Sequence, residues 1–315
     1  MKSFLLSLLL IPTGAAASCG SAFCTVNTNW EVQGAWTEPG TRLDFRYEFI
    51  DQDQPMSGSR KVGVGEIRKH HDELYTRNRN YLTAVDRTFG ADWGVNVLMP
   101  VVSREHYHVH NHMGAALDER WDFTALGDVR VLARRRLASF EDQEPSAGVA
   151  ALQFGLKLPT GRTGIRNGDG DPAERSLQPG SGTTDLLLGV SGTKLRPTKN
   201  LSTFVQGMVQ LPLYEHDGYR PGNRVSLDAG MRYGLGEQVG ALLQVNTLWR
   251  GRDRGVEAEP DDSGATSVFL SPGLSWAPTK TFNLYGFFQL PLYQYVNGVQ
   301  LTARRAFTIG VTLRL

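Results

Sequence analysis

The stretch TARRAFTIGVTLRL, residues 302–315, ends in strict alternation of apolar and polar side chains. One face is apolar and consists of Phe307, Ile309, Val311, Leu313 and Leu315. The other face consists of Thr308, Gly310, Thr312 and Arg314. Because successive side chains of a strand point to opposite faces, this pattern predicts a β-strand with one apolar face. A final strand of this kind, behind an export signal, is typical of transmembrane β-barrels.

The first residues, 1–17, have the pattern of a signal peptide. Lys2 supplies a positive charge, residues 4–11 form a short apolar core, and the alanines at 15–17 offer a cleavage site. The apolar core is too short to span a bilayer as a helix, and no later stretch approaches about 18 apolar residues. We therefore expect an exported chain that is not a helical membrane protein. An ordinary exported soluble protein remains the alternative.

The two cysteines, Cys19 and Cys24, follow the predicted cleavage site directly. In an oxidising compartment they are expected to form a small disulfide loop. Lipidation of Cys19 and a copper site that uses both thiols are the alternatives. Residues 18–40 lack alternation, so this segment is predicted to be either a periplasmic tail or a plug of the barrel lumen.

Alternation with period two recurs along residues 41–315. It predicts an all-β fold, a transmembrane antiparallel up-and-down β-barrel of about twelve strands, with a range of ten to fourteen. The predicted strands lie near 41–52, 79–90, 92–104, 123–137, 147–160, 183–196, 201–215, 223–236, 238–252, 265–278, 281–295 and 302–315.

The polar face of these strands carries charges of both signs far from any turn. A hydrated lumen inside a lipid-facing wall accommodates such charges, whereas a soluble β-sandwich, the alternative, would need bulk water there. The predicted lumen or substrate-path residues are Asp44, Arg46, Glu48, Asp128, Arg130, Arg134, Lys157, Gln206, Gln210, Arg224, Asp228, Arg232, Gln244, Asn246 and Gln289. They form either a solute path or a structural salt-bridge lattice.

The connections between predicted strands alternate in length. Short turns are expected at 90–91, 197–200, 236–237 and 278–280, and longer loops at 53–78, 105–122, 161–182, 216–222 and 253–264. Short turns on one rim and long loops on the other are the bacterial outer-membrane arrangement. This predicts periplasmic turns, extracellular loops and two periplasmic termini.

All seven histidines fall in predicted extracellular loops. In the segment EHYHVHNH, residues 105–112, every second residue is a histidine, so the imidazoles would line one face of an extended chain. The tentative ligands for Zn²⁺, Cu²⁺ or Ni²⁺ are His106, His108, His110, His112, His70 and His71. A polar loop that merely tolerates histidine, or a proton-sensitive gate, would explain the pattern as well.

Two motifs resemble a known family. Residues 156–161 read LKLPTG, and residues 177–189 read LQPGSGTTDLLLG. Together with the QLPLY strands at 210–214 and 289–293, they are similar to the outer-membrane barrels named for the MetA pathway of phenol degradation. The resemblance covers about residues 120–315. It implies a barrel transporter, hints at aromatic or other hydrophobic solutes, and brings no catalytic residues.

The leading functional hypothesis is passive or facilitated passage of small solutes across the outer membrane of a Gram-negative cell. A surface metal-binding barrel that uses the histidine loop is the second hypothesis. An outer-membrane enzyme is disfavoured because no histidine lies in a predicted strand. The formal net charge of +1 argues against nucleic acid as a partner. The expected partners are membrane lipid, the barrel-assembly machinery and a small solute.

Overall fold

A computed structural model describes residues 26–35, 38–68, 71–90, 92–112, 115–141 and 147–315. The predicted signal peptide and the cysteine pair, Cys19 and Cys24, lie outside these residues. Among the described residues there is no helix of the length and apolar character needed to cross a membrane.

Most of the described chain is β-strand, and the only helix in it is a short 3₁₀ segment at Pro197–Lys199. The strands are β1 (Gly40–Gly58), β2 (Arg60–Lys61), β3 (His71–Phe89), β4 (Trp93–His112), β5 (Ala115–Leu126), β6 (Arg130–Glu141), β7 (Ala147–Lys157), β8 (Asp185–Arg196), β9 (Leu201–Pro212), β10 (Arg224–Gly234), β11 (Val239–Arg250), β12 (Ala265–Thr279) and β13 (Phe282–Arg314).

Eleven of these strands close into a ring, and β2 and β5 lie off it as additional strands paired with β1 and β4. Neighbouring strands are antiparallel throughout, and the ring closes where the start of β1 pairs with the end of β13, from Arg42 opposite Arg314 onward. The predicted all-β antiparallel barrel is therefore confirmed. The C-terminal stretch, residues 302–315, forms the seam of this barrel.

The long strand β13 runs from one rim of the barrel to the other and back again. Its first part, from Phe282 to Val296, pairs with β12, and its second part pairs with β1. Between them the chain turns at Gly298, whose φ of 59° lies in the left-handed region that favours glycine. Since β13 runs between the two rims twice, the eleven strands make twelve crossings of the barrel. An all-antiparallel closed ring needs an even number of crossings, and twelve is the number that the alternation predicted.

The outer face of the wall is a belt of large apolar side chains. Phe45, Val190, Leu227, Leu274 and Ile309 are each between 48% and 60% exposed. Their neighbours in the chain point inward and are mostly polar. A soluble protein rarely exposes so much contiguous apolar surface, whereas a lipid-facing wall requires it.

The two rims of the barrel differ in the length of their connections. The rim that holds both ends of the barrel chain, Gly40 and Arg314, carries short turns, including the one at residues 235–238. The opposite rim carries the long connections 158–184, 213–223 and 251–264. This division follows the predicted pattern of short and long connections.

Two predicted loops are wrong. Most of residues 53–78 and nearly all of 105–122 form strands, because β1, β3 and β4 extend beyond their predicted ends and β5 precedes β6. In these extensions most outward side chains are polar or charged, as in the pair of Arg77 and Glu105. Only the part of a strand that faces lipid needs an apolar outer face. Backbone pairing therefore continues beyond the lipid-facing belt, but the alternation of apolar and polar residues that predicts a strand is lost there.

We expect Leu227→Arg, on the outer face near the middle of β10, to lower the free energy of unfolding by about 2–4 kcal/mol, because a cation then faces hydrocarbon. The matched control is Ser226→Arg, whose side chain borders an internal cavity. Denaturant unfolding in lipid vesicles measures both. Equal losses for the two variants would contradict a lipid-facing outer belt.

Candidate functional site

The inner wall holds all fifteen predicted lumen residues, each buried or half-buried. Several are joined in pairs: the Lys157 ammonium lies 2.9 Å from an Asp128 carboxylate oxygen, and the Asn246 amide donates to Asp228 at 2.9 Å. Hydrogen bonds and ion pairs of this kind offset the cost of burying polar groups. The placement fits both a solute path and a structural lattice, so the role of these residues in passage remains a prediction.

A cavity of about 390 Å³ lies inside the barrel. Nine predicted lumen residues border it: Asp44, Arg46, Arg130, Arg134, Gln206, Gln210, Arg224, Asp228 and Gln289. Its apolar lining includes Leu98, Leu132, Met208, Leu248, Phe269 and Val296. The lining also holds six arginines but only three aspartates. The cavity therefore combines apolar surface with an excess of positive charge.

A second cavity of about 110 Å³ adjoins the first on the side of the long loops. The two cavities have six lining residues in common, namely Arg46, Leu98, Arg130, Gln210, Arg224 and Arg250. Four of the six are arginines from different strands. Any solute that moves from one cavity to the other passes this group, which we call the arginine ring.

The described part of the N-terminal segment, residues 26–35, lies inside the barrel. The Trp30 indole donates a hydrogen bond to the Thr312 hydroxyl at 2.8 Å and packs edge-on against Tyr285. The Asn27 backbone nitrogen donates to the Gln244 side chain at 3.0 Å. These contacts hold the segment against the inner wall, so it narrows the lumen from the rim that carries the short turns.

Glu31 is the main ionic anchor of this segment. Its carboxylate contacts the Arg42 guanidinium at 3.1 Å and the Arg136 guanidinium at 2.9 Å, and it pairs closely with Arg134 as well. Glu31 is only 7% exposed. One carboxylate therefore joins three wall arginines in a site with little water.

At the other end, the loop at residues 158–184 folds into the barrel mouth. Leu177 is fully buried in a cluster with Trp121 and Leu301. Its carbonyl accepts a hydrogen bond from the Arg104 guanidinium, and the carbonyl of Asp171 accepts one from the Trp121 indole at 3.1 Å. Wall and loop thus meet through both apolar packing and buried hydrogen bonds.

Two further loops brace each other at the same mouth. The Tyr219 hydroxyl donates to the Asp253 carboxylate at 3.0 Å, and the other Asp253 oxygen accepts from the Gly222 backbone nitrogen at 2.8 Å. Burial, with the neighbouring Asp253 charge, raises the pKa of Tyr219 well above its usual value. Tyr219 therefore keeps its proton, and with it the hydrogen bond to Asp253, even in alkaline solution.

The histidines occupy different positions from those predicted. His71 begins β3, and His106, His108 and His110 lie along β4 on its inner face, so the loop assignment is wrong for these four. His112 ends β4, so the loop assignment is wrong for it as well, and His70 lies outside the described residues. A surface site in a flexible extracellular loop is therefore excluded for His71, His106, His108 and His110.

The expectation that no histidine lies in a strand, which disfavoured an enzyme, is wrong, because five histidines lie in β3 and β4. His106 and His108 are each 1% exposed and point into the barrel.

The comparisons with known proteins agree with this geometry. A family model described as "Putative MetA-pathway of phenol degradation" matches residues 78–309. This chain belongs to that family. No curated protein matches the chain.

Among solved structures, the COG4313 outer membrane channel from Pseudomonas putida F1 is similar with a TM-score of 0.62 at 13% identity, over 88% of this chain and 96% of that chain. The NanC porin reaches a TM-score of 0.44 at 12% identity, over 87% of this chain and all of the other. The first likeness shows that the two proteins have the same fold. The second is too weak to add to it.

The family motifs have a clear structural role in this barrel. Asp128 lies in the break between β5 and β6, and its carboxylate accepts from the backbone nitrogens of Gly161 and Ser181, each at 3.0 Å. Gly161 and Gly180 approach so closely that a Cβ on Gly161 would lie 2.7 Å from the Gly180 Cα. The LPTG and QPGSG segments are thus the two ends of the inward loop, fastened to one wall carboxylate.

Sequence reasoning missed Glu31, Glu73, Glu119 and Glu174, all of which contact arginines or histidines inside the barrel. A signal existed for one of them. Glu73 follows His71 with the same period of two that selected the histidines of β4. The others become recognisable only through strand register and loop folding.

We expect Glu31→Gln to lower the free energy of unfolding by about 3 kcal/mol, because three arginines would lose their shared carboxylate in a buried site. Glu38→Gln is the control, since Glu38 pairs with Arg314 at the surface. Denaturant titration of both variants in detergent gives the difference. A loss no larger than that of the control would show that Glu31 does not anchor the segment.

We expect Asp128→Asn to accelerate tryptic cleavage within residues 158–184 about tenfold, which corresponds to about 1.4 kcal/mol of easier local opening. An amide cannot replace a carboxylate that accepts from Lys157, Gly161 and Ser181 together. Asp169→Asn changes an exposed residue of the same loop and serves as the control. Unchanged cleavage in Asp128→Asn would show that the Asp128 carboxylate does not hold the loop in place.

Proposed function

We propose that this barrel carries small aromatic or other hydrophobic solutes, preferably with a negative charge, across the outer membrane without chemical change. The observation that carries the proposal is the arginine ring between two cavities whose walls are otherwise partly apolar. The family name and the channel fold support the same general role.

The size of the main cavity suits such solutes. An apolar cavity of about 150 Å³ is enough to hold benzene. The cavity here is about 390 Å³, so it can hold a single substituted ring with several waters. Leu98, Leu132 and Phe269 would contact the ring, and the glutamines would solvate its polar substituents.

The positive charge of the arginine ring favours negatively charged solutes. Rings of arginine or lysine in a pore favour anions, because the field adds over several side chains in a space with little water. Arg46 is offset by Glu48, whose carboxylate lies 3.1 Å away. Arg130, Arg224 and Arg250 come from three other strands and converge on the same constriction.

Passage depends on the two elements that narrow the barrel. Residues 26–35 border the main cavity, and the inward loop borders the smaller one through Gln178, Gly180 and Ser181. We infer that a solute enters past the loop and leaves when the N-terminal segment moves aside. In this arrangement the short turns face the periplasm and the long loops face the exterior.

The test is solute flux into vesicles that contain the folded barrel. Benzoate, benzyl alcohol and benzylamine have one ring each and differ in charge. We expect benzoate to enter about tenfold faster than benzylamine, a difference of about 1.4 kcal/mol. That is below the roughly 4 kcal/mol between unit charges 4 Å apart in a protein-like medium, so the ring can supply it.

The double variant Arg130→Gln, Arg224→Gln should abolish this preference. Arg252→Gln, on an exposed loop, should preserve it. Flux of all three compounds no faster than in empty vesicles, for both the native chain and Glu31→Gln, would refute passage itself. Equal flux of benzoate and benzylamine would refute the anion preference.

A further inference from the structure

The upper parts of β3, β4 and β5, together with the inward loop that carries Glu174, bring four histidines and three glutamates together inside the barrel. Cross-strand register sets the arrangement: His106 lies between Thr76 and Trp121, and His108 lies between Glu73 and Glu119. The described residues contain three groups whose ligand atoms lie within 4.8 Å of one another. They are His71–His110–Glu119, His71–His108–Glu174 and Glu73–His106–His108.

We propose that Glu73, His106 and His108 form a binding site for a divalent transition metal of the zinc type. The site lies in the inner wall above the lipid-facing belt and is independent of solute passage. The ion would hold β3 and β4 together where the inward loop rests on them.

The distances among the three ligands fit such an ion. His106 Nε2 lies 3.0 Å from His108 Nδ1 and 3.5 Å from Glu73 Oε2, and His108 Nδ1 lies 3.8 Å from Glu73 Oε1. Bonds of about 2.0–2.2 Å in a tetrahedron separate ligand atoms by about 3.4 Å. A single proton between the two imidazoles satisfies only that pair, whereas a divalent ion would bind both and the carboxylate.

The surroundings of both imidazoles are those of metal ligands. The second nitrogen of His106, Nδ1, lies 2.8 Å from the Thr76 hydroxyl, and the second nitrogen of His108, Nε2, lies 2.8 Å from a Glu119 carboxylate oxygen. Metal-bound histidines usually have an oxygen on the other ring nitrogen, which fixes the tautomer and the ring orientation.

Charge and burial agree with a bound cation. The side chains of Glu73, His106 and His108 are each at most 1% exposed. Arg104 lies on the same face of β4, but its guanidinium donates to the Asn78 side chain and to the Leu177 carbonyl. Two more carboxylates, Glu119 and Glu174, flank the cluster. A dication would therefore balance a locally negative site.

The bulge between Glu73 and Tyr75 makes the trio possible. On either side of it, Glu73 and Thr76 are both buried, although they lie three residues apart. In regular alternation one of the two would point outward. The bulge thus supplies both a ligand and the hydroxyl that orients another ligand.

The experiment is metal titration of the full mature chain, without an affinity tag, folded in detergent and stripped with a chelator. Co²⁺ is the spectroscopic probe, because its visible absorption reports four-coordinate binding, and Zn²⁺ is the competitor. We expect one tight equivalent per chain. Glu73→Gln, His106→Gln and His108→Gln should each abolish it, and Glu119→Gln should weaken it about 10–100-fold.

Matched controls separate this trio from its rivals. His216→Gln removes an exposed histidine on the 213–223 loop and should leave binding unchanged. His71→Gln, His110→Gln and Glu174→Gln remove ligands that belong only to the other two groups. They too should retain the tight equivalent and the Co²⁺ spectrum.

The proposal is overturned if the native chain binds no more metal than Glu73→Gln does, or if His71→Gln loses the ion while Glu73→Gln retains it. Circular dichroism of each metal-free variant verifies that the barrel has formed, so that lost binding is not mistaken for lost folding. A metal-dependent rise in the denaturation midpoint that vanishes in Glu73→Gln, is reduced in Glu119→Gln and persists in His216→Gln would support it independently.

Discussion

Every other feature of this molecule depends on the backbone pairing that closes the ring between β1 and the end of β13. In hydrocarbon each unpaired amide or carbonyl costs several kcal/mol, so a sheet can span lipid only without free edges. Sixteen residue pairs join the two strands, from Arg42 opposite Arg314 to Gly58 opposite Val296. Closure then creates two environments, an outer one that must be apolar and an inner one that is free to be polar.

The interior uses this freedom for ionic contacts rather than for a hydrocarbon core. Glu31 holds the N-terminal segment through three arginines, and Asp128 holds the inward loop through Lys157 and two backbone nitrogens. Both anchors are single carboxylates with several donors. Such contacts are strong when complete and weak when one partner is lost. Contacts of this kind can therefore hold the N-terminal segment and the loop inside the lumen and can also release them.

The sequence predicts this fold well where lipid imposes its pattern. The seam strand, the strands that flank the short turns and all fifteen inward residues follow from period two alone. The prediction fails above the belt, where the outer face of β3, β4 and β5 is polar and alternation no longer separates the two sides. That failure assigned His71, His106, His108, His110 and His112 to loops. Glu119 and Glu174 could not be found at all, because their positions depend on register and on a folded loop.

The bulge at Leu74 has an evolutionary consequence. An uninterrupted ladder through the same residues would turn Glu73 and His71 outward, while the part of β3 from Asn78 to Phe89 would keep its orientation. A bulge that exchanges the inward and outward side chains of a strand is tolerated only where the outer surface does not contact lipid. Homologues can therefore acquire or discard this polar pocket through a one-residue length difference. Alignments that compare only residue identities, and overlook spacing, would miss it.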